Sequence, residues 1–423
     1  MQHSLRTLSN GMRVVTIPLH DTQALSVLVF TKVGSRYESS GVNGVSHFIE
    51  HLMFKGTKKR PTTLDITKEL DGVGAQYNAY TSKDATCYYL KVNAEHARMA
   101  FDVLSDMIQN ATFDPKEIER ERGVIVEEIN MYDDNPLLTI EEIFEQVLFG
   151  THHPLGRSIL GPKKIIQTIT RAEILKYRTA HYQAGNMLVV VAGKLPTNTE
   201  ALIKEYFGRF TKGKKTPPFT PYTSGTGSPV LLQTRESEQV QIALGVRALK
   251  YTDPKLTTLS VLSNILGGTM SSRLFVEVRE KRGLAYTVRS SLGAYEDVGT
   301  FEIQAGLDKK KLDLALPVII AEMRKMKTTK VGAAELARAK ENLRGGMILG
   351  LEDSEEVAAY YGRQALFKKK IEPPQAALDR IKVVTSSDVQ RLAQQLFRPA
   401  ALRLAIIGPF QPNKKWQEML RAL

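Results

Sequence analysis

The chain of 423 residues contains a single cysteine, Cys87, and a single tryptophan. One thiol cannot form an intramolecular disulfide, so a disulfide-stapled scaffold is excluded and a reducing compartment is favoured. Long apolar runs are also missing, which argues against a transmembrane helix. The N-terminal residues lack the charged-then-apolar order of a signal peptide. We therefore expect a cytoplasmic protein without a membrane partner. The alternative is a protein whose targeting segment has been removed from the chain.

The net charge is strongly positive, with 58 Lys and Arg against 45 Asp and Glu, or +13 at pH 7. Such a charge favours acidic surfaces in general. The basic residues are scattered, however, and their runs are short, as at 212–215 and 368–370. Nucleic-acid-binding proteins concentrate their basic residues in a patch or stripe or carry a recognisable motif, and the sequence shows neither. We expect no nucleic-acid partner.

The length exceeds what one hydrophobic core usually organises, which indicates at least two domains. A stretch rich in Pro, Gly, Ser, Thr and Lys spans 211–229 and is typical of a linker. We therefore predict an N-terminal domain at 1–210 and a C-terminal domain at 230–423. In both halves, β-branched runs alternate with amphipathic helical stretches, which indicates sheets with helices packed against them.

The two halves resemble each other. The segment 170–193 reads as a helix start, a helix and a strand, and the same order recurs 215 residues later at 385–408. The strand-then-helix segment that begins at Thr86 recurs at Thr300. We interpret this as an internal duplication of about two hundred residues.

Chemistry-bearing residues concentrate in HFIEHLMFKG, residues 47–56. At 3.6 residues per turn, a helix places His47, Glu50 and His51 on one edge. Two histidines at this spacing can bind one zinc ion, and a catalytic zinc needs a third protein ligand and an open position. Shifted by 214 residues, the three positions fall on Val261, Asn264 and Ile265, so the second half is expected to have the helix without the chemistry.

The region that best supplies a third ligand is 118–132, a helical run in which Glu121 and Glu128 lie seven residues apart and share a face. The apolar residues Val124, Ile125 and Ile129 flank them, which favours a buried face over a solvated one. Spacing alone leaves Glu127 open as an alternative to Glu128.

HFIEH followed by ERGVIVEE at 121–128 resembles the inverzincin metallopeptidases, the pitrilysin and insulin-degrading-enzyme family. The short bacterial members, similar to the mitochondrial processing peptidase, are the closest in pattern. The resemblance implies one zinc ion per chain, held by His47, His51 and Glu128. It further implies that Glu50 is the general base and that Glu121 lies behind the site.

Two further segments extend the resemblance. GAQYNAYTSKDATCYY, residues 74–89, is similar to the family's active-site edge strand, where Asn78 and Ala79 would meet the substrate by β-augmentation. REKRGLAY resembles the family's Arg-Tyr pair. By this resemblance Arg279 would hold the substrate backbone or carbonyl, and Tyr286 would donate a hydrogen bond to the oxyanion.

The resemblance also implies the fold and the assembly. We expect an α+β protein of two homologous domains, each a mainly antiparallel sheet packed with helices, that together form a half-clamshell. The C-terminal domain would lack zinc ligands and carry the Arg-Tyr pair. A homodimer would enclose a chamber for unstructured peptides or presequence-like segments, with Arg279 and Tyr286 completing the zinc site of the other subunit. The alternative is a catalytically silent structural or partner subunit of a peptidase-like complex.

Overall fold

The computed structural model describes residues 1–213, 218–223 and 228–423. The predicted linker at 211–229 therefore lies partly outside the described residues. The strands are β1 (Ser4–Thr7), β2 (Arg13–Pro18), β3 (Ala24–Thr31), β4 (Gln76–Thr81), β5 (Thr86–Asn93), β6 (Met187–Gly193), β7 (Val230–Thr234), β8 (Gln239–Ala248), β9 (Ala285–Ala294), β10 (Gly299–Asp308) and β11 (Arg403–Gly408).

The helices in the first part of the chain are α1 (Val45–Leu52), α2 (Thr63–Asp71), α3 (Ala97–Asn110), α4 (Pro115–Asp134), α5 (Pro136–Phe149), α6 (Lys163–Thr168), α7 (Arg171–His181) and α8 (Thr199–Phe207). Those in the second part are α9 (Leu256–Gly267), α10 (Leu312–Thr328), α11 (Ala333–Gly350), α12 (Ser354–Phe367), α13 (Pro374–Val383), α14 (Ser386–Leu396) and α15 (Lys414–Arg421). A π-helical turn spans Phe275–Glu280. No helix among these residues combines the length and the apolar character that a bilayer span requires.

The chain forms two compact units. The first unit comprises Met1–Asn130, Ser158–Thr220 and Ile348–Pro374. The second unit comprises Met131–Arg157, Pro221–Met347 and Gln375–Leu423. This division differs from the predicted boundaries, 1–210 and 230–423. Met131–Arg157, early in the sequence, belongs to the second unit, and Ile348–Pro374, late in the sequence, belongs to the first.

Each unit is built on one sheet. The first sheet has the strand order β1-β2-β6-β3-β5-β4 and the second has β7-β11-β8-β10-β9. In each sheet one pair is parallel, β2 with β6 and β7 with β11, and every other pair is antiparallel. Without β1, the two sheets have the same order and the same directions. The predicted α+β fold with two homologous, mainly antiparallel domains is confirmed.

Local details repeat between the units as the duplication predicts. Helix α7 begins with a capping box in which the Thr170 side chain accepts from the Glu173 backbone N–H, and α14 begins with the same device at Thr385 and Asp388. Each box satisfies backbone donors that the first helical turn leaves free. The strand that follows ends at a glycine in both units, Gly193 in β6 and Gly408 in β11.

Two helices account for the exchanged segments. Helix α12, late in the sequence, packs on β2, β3 and β6 of the first sheet, where Tyr361 and Val357 join the core around Phe30. Helix α5, early in the sequence, packs on β8 and β11 of the second sheet through Ile140 and Phe144. Each sheet thus carries on one face a helix from the other half of the sequence.

Candidate metal centre

The ends of α1 fix where its side chains point. Gly44 precedes the helix with φ +98°, and a Cβ there would meet the Leu160 carbonyl oxygen at 2.5 Å. The buried Glu38 carboxylate accepts hydrogen bonds from the backbone N–H groups of Gly44 at 2.7 Å and Ser46 at 2.8 Å. An anion at this end suits the positive end of the helix dipole. Burial nevertheless raises the pKa of Glu38 to about 7, although these hydrogen bonds oppose the shift.

Helix α4 presents the glutamates to α1 because one of its faces is buried. Ile118, Ile125 and Ile129 lie on that face with Glu121. Val124, predicted on the same face, is exposed, because it lies at the edge of this buried face. Of the two candidates for a third ligand, the Glu128 carboxylate turns towards α1, whereas Glu127 is an exposed residue.

Three predicted metal ligands converge. Glu128 Oε2 lies 3.6 Å from His47 Nε2 and 3.5 Å from His51 Nε2. Zn–N and Zn–O distances of about 2.0–2.2 Å at tetrahedral angles put neighbouring ligand atoms roughly 3.3–3.6 Å apart. The spacing in the structure therefore fits zinc. It is the only cluster of three or more His, Cys, Asp and Glu residues with this convergence in the described part of the chain.

Glu121 lies behind His51, as the resemblance implied. It is 2 % exposed, and its Oε2 lies 3.1 Å from His51 Nδ1. A proton on Nδ1 leaves the Nε2 lone pair for a metal, which is the tautomer that ligation needs. Among the described residues no hydrogen-bond partner is found for His47 Nδ1. Glu121 therefore fixes the orientation of one of the two imidazoles.

The two histidines differ in their electrostatic surroundings. Burial, aided by the neighbouring His51, lowers the pKa of His47 to about 4. Burial also acts to lower the pKa of His51, but hydrogen bonds to Glu121 and Glu128 outweigh it and raise the pKa to about 9. The same hydrogen bond from His51 lowers the pKa of Glu128. The surroundings thus favour the neutral form of His47 and the protonated form of His51 beside the Glu128 carboxylate.

Glu50 lies beside the ligands and is held by the edge strand. The Thr81 hydroxyl, at the end of β4, donates to Glu50 Oε2 at 2.5 Å. Burial raises the pKa of Glu50, and the Thr81 hydrogen bond and the charge of His51 oppose that shift. A carboxylate whose pKa moves towards neutrality is suited to accept a proton and return it.

The predicted substrate-binding residues lie on an edge strand. Among the strands that the structure describes, β4 pairs only with β5, and Asn78 on it is exposed. The Ala79 backbone N–H donates to Asn78 Oδ1 at 2.8 Å. An open strand edge of this kind can pair with an extended peptide. Because Thr81 ends the same strand, the edge leads directly to Glu50.

The predicted Arg-Tyr pair lies in the second unit. Arg279 is in the π-helical turn, and its guanidinium carbon lies 5.6 Å from the centre of the Tyr286 ring and 4.8 Å from that of Phe275. Tyr286 is in the edge strand β9 and is 75 % exposed. It also lines a cavity of about 410 Å³ with Leu137 and Gln241. The structure thus brings Arg279 and Tyr286 together.

The second unit has a pocket at the positions that duplicate the metal centre. The pocket encloses about 200 Å³, and its lining includes Asn264, Ile265, Glu335 and Asn342. Shifted by 214 residues, these are the counterparts of Glu50, His51, Glu121 and Glu128. Asn264 Nδ2 donates to Asn342 Oδ1 at 2.7 Å. Val261 and Ile265, in place of the histidines, belong to the core.

The sequence patterns did not identify three residues that support the site: Glu38, Lys55 and Thr81. Thr81 lies inside the segment that suggested the edge strand, and its position at a strand end was the available signal. Lys55 lies one turn beyond His51 and forms an ion pair with Glu121, with 2.7 Å between Nζ and Oε1. Nothing in the sequence singles out Glu38.

Comparison with known proteins gives a consistent result over the whole chain. Residues 13–163 match the family model described as insulinase, peptidase family M16. Residues 168–343 match the model described as the peptidase M16 inactive domain. The boundary between these matches separates the metal centre from the second unit's pocket.

Curated relatives share nearly the full length. An uncharacterised zinc protease of Mycobacterium leprae is 37 % identical over 421 residues, covering 99 % of this chain and 94 % of the relative. An uncharacterised zinc protease of Bacillus subtilis is 34 % identical over 404 residues, covering 95 % and 97 %.

Solved structures agree in fold. A crystal structure of a protease from Helicobacter pylori has a TM-score of 0.90 at 25 % identity and covers 96 % of this chain and 99 % of its own. A structure described as a peptidase M16 inactive domain from Pseudomonas fluorescens also has a TM-score of 0.90, at 19 % identity, over 98 % and 99 % of the two chains. The chain belongs to peptidase family M16, the insulinase family, and has the length of its bacterial relatives.

Proposed function

We propose that the chain is a zinc-dependent endopeptidase that cleaves unstructured peptides, with zinc held by His47, His51 and Glu128. The observation that carries the proposal is the convergence of three ligand atoms beside half-buried Glu50, with Glu128 at 3.6 and 3.5 Å from the two imidazoles, the spacing of neighbouring ligands in a tetrahedral site. When bound, zinc supplies Lewis-acid activation of water and of the scissile carbonyl.

The remaining steps belong to the side chains of the protein. Glu50 accepts the proton of the attacking water and delivers it to the leaving amine. The hydrogen bond from Thr81 keeps the Glu50 carboxylate in place during both transfers. Glu121 stabilises the tautomer of His51 in which Nε2 carries the lone pair.

The substrate lies as an added strand along β4, beside Asn78 and Ala79. Backbone hydrogen bonds supply most of the affinity in this mode, so the sequence preference is low. A peptide must be extended to pair in this way, and a folded protein offers no free extended segment. Unfolded peptides and presequence-like segments are therefore the proposed substrates.

The active assembly in this proposal is a homodimer that encloses the substrate. Tyr286 of one subunit would donate a hydrogen bond from its hydroxyl group to the oxyanion that forms at the zinc site of the other, and Arg279 would hold the substrate backbone or carbonyl. The exposure of Tyr286 on an edge strand supports a role towards a partner outside its own unit's core.

Mixing two inactive variants tests this assembly. Glu50→Gln and Tyr286→Phe each inactivate both sites of a homodimer. In a mixed dimer, one site combines the intact Glu50 of one chain with the intact Tyr286 of the other, so activity reappears. If mixing after exchange of subunits restores nothing, the site is not shared between chains.

The proposed activity itself is tested with a mixed set of unstructured peptides. The purified protein should cleave them, lose the activity with a chelator and regain it when zinc is added back. A catalytically silent subunit would give no cleavage in a preparation shown to contain zinc, and that outcome would favour the structural alternative.

A further inference from the structure

Lys55 forms the outer end of a chain of contacts that runs to the metal site. His51 Nδ1 lies 3.1 Å from Glu121 Oε2, and Glu121 Oε1 lies 2.7 Å from Lys55 Nζ. Glu121 thus joins a predicted ligand on one side to an ammonium group on the other. Each oxygen of the Glu121 carboxylate therefore has its own partner.

The backbone delivers Lys55 to this position by a fixed turn. The chain leaves α1 at Leu52, and Gly56 follows Lys55 with φ +116°. A Cβ at Gly56 would lie 2.2 Å from the Pro61 carbonyl oxygen, so only glycine fits. The side chain of Lys55 is 24 % exposed and that of Glu121 is 3 % exposed. The lysine therefore covers the carboxylate from the solvent side.

We propose that Lys55 is a positioning residue that acts through Glu121 to hold His51 in the orientation that binds zinc. This inference rests on the proposed zinc site. A buried carboxylate is costly without a paired cation. Lys55 provides that cation and binds Oε1 of Glu121, which leaves Oε2 directed at Nδ1 of His51. Ligand orientation by such outer partners governs metal affinity.

The second unit offers an independent comparison. Glu335 stands at the position that duplicates Glu121, and Arg273 bonds to it at 2.8 and 2.7 Å. On its other side the place of His51 is taken by Ile265, which cannot ligate. In both units a cation therefore pairs with this glutamate, Lys55 with Glu121 and Arg273 with Glu335. Glu121 is also bonded to a histidine, whereas Glu335, among the residues that the structure describes, is not. The pair in the second unit serves as a matched control.

The experiment measures zinc dissociation constants by competition with a chelator of known affinity, on the full chain. Lys55→Met is expected to weaken zinc binding about tenfold, the low end of the range for loss of an outer partner. Lys55→Arg keeps the charge and the donor and is expected to restore the affinity. Arg273→Met removes the corresponding pair in the second unit and should leave the zinc dissociation constant unchanged.

Thermal unfolding of each metal-free variant shows whether it is folded. If Lys55→Met does not fold, Lys55→Gln, which keeps a polar side chain of similar length, replaces it. Zinc affinity equal to that of the parent, or tighter, in a folded Lys55 variant would overturn the inference. Equal weakening by Lys55→Met and Arg273→Met would also overturn it, since that pattern indicates a general loss of stability. A parent protein that binds no zinc would instead refute the proposed function.

Discussion

The metal centre of the first unit and the pocket of the second are formed by corresponding helices that carry different side chains. At each centre a short helix faces a long one, α1 facing α4 and α9 facing α11. Of the five positions compared, the glutamate behind the site is kept, as Glu121 and Glu335. The histidines become Val261 and Ile265, and the base and third ligand become amides. The second unit thus has the same sheet topology, apart from β1, without the residues proposed to bind metal.

The neighbours of the retained glutamate explain the difference in role. Glu121 bonds to His51 and Lys55, whereas Glu335 bonds to Arg273. A buried glutamate with a cation is sufficient as a structural pair. Its proposed role in metal binding requires a histidine on its other side, which Glu121 has and Glu335 lacks.

The largest expected effect comes from Glu50→Gln, which gives the first centre an amide where the second has Asn264. Peptide hydrolysis should fall by about 10²–10⁴-fold, because the general base is lost. Zinc content should stay that of the parent, which initial-rate measurements and metal analysis on the same sample can check. An active Glu50→Gln protein would show that another group moves the proton.

A second pair of variants separates the adjacent glutamates of α4. Loss of a residue that only orients a metal ligand weakens metal binding by up to roughly 100-fold. Glu128→Gln should weaken zinc binding by more than that, because Glu128 is proposed to bind the metal itself. Glu127→Gln, on the exposed side of the helix, serves as the matched control and should bind zinc like the parent. The reverse order of the two dissociation constants would reassign the third ligand.

A third test contrasts the position of His51 with its duplicate. Ile265 is 3 % exposed in the core of the second unit, and Ile265→Ala should lower the free energy of unfolding by about 2–5 kcal/mol. Its zinc dissociation constant should not change, whereas His51→Ala should lose zinc. Denaturant unfolding of the metal-free proteins and metal titration together check the contrast. Loss of zinc in Ile265→Ala would mean that the second unit takes part in metal binding.

The smallest expected effect, about tenfold for each pH unit, is a pH dependence of zinc affinity. His51, with a pKa of about 9 in the metal-free protein, holds a proton that zinc must displace. Affinity should therefore rise about tenfold per pH unit from neutrality to about pH 9 and then level off. His47, with a pKa of about 4, is already neutral over this range.

The same proton stabilises the metal-free fold. Because the folded pKa of His51 is above the usual 6.5, this contribution is full below about pH 6.5 and is lost as the pH rises through about 9. Glu121→Gln removes a hydrogen bond that raises this pKa, so both transitions should move to lower pH. Titrations of the parent and this variant that coincide would contradict the assignment.

Much of this architecture could be predicted from sequence because the signals are local. The spacing of His47, Glu50 and His51 and the seven-residue step from Glu121 to Glu128 need only helical geometry. The repeated helix-strand segment revealed the duplication, and its capping boxes at Thr170 and Thr385 are present in the structure.

The features that escaped prediction depend on contacts distant in sequence. An amphipathic pattern shows that α5 and α12 each bury a face, but not which sheet covers it, so the exchange of these helices was missed. Thr81 and Glu50 lie 31 residues apart, and Lys55 meets Glu121 from another helix's end. No local periodicity connects such pairs.

We propose that the first unit binds one catalytic zinc ion and that its duplicate binds none. Anomalous X-ray scattering at the zinc absorption edge, from crystals grown with zinc, tests it most directly. One peak per chain is expected, bounded by His47, His51 and Glu128. A peak between Asn264 and Asn342, or none beside the two histidines, would contradict it.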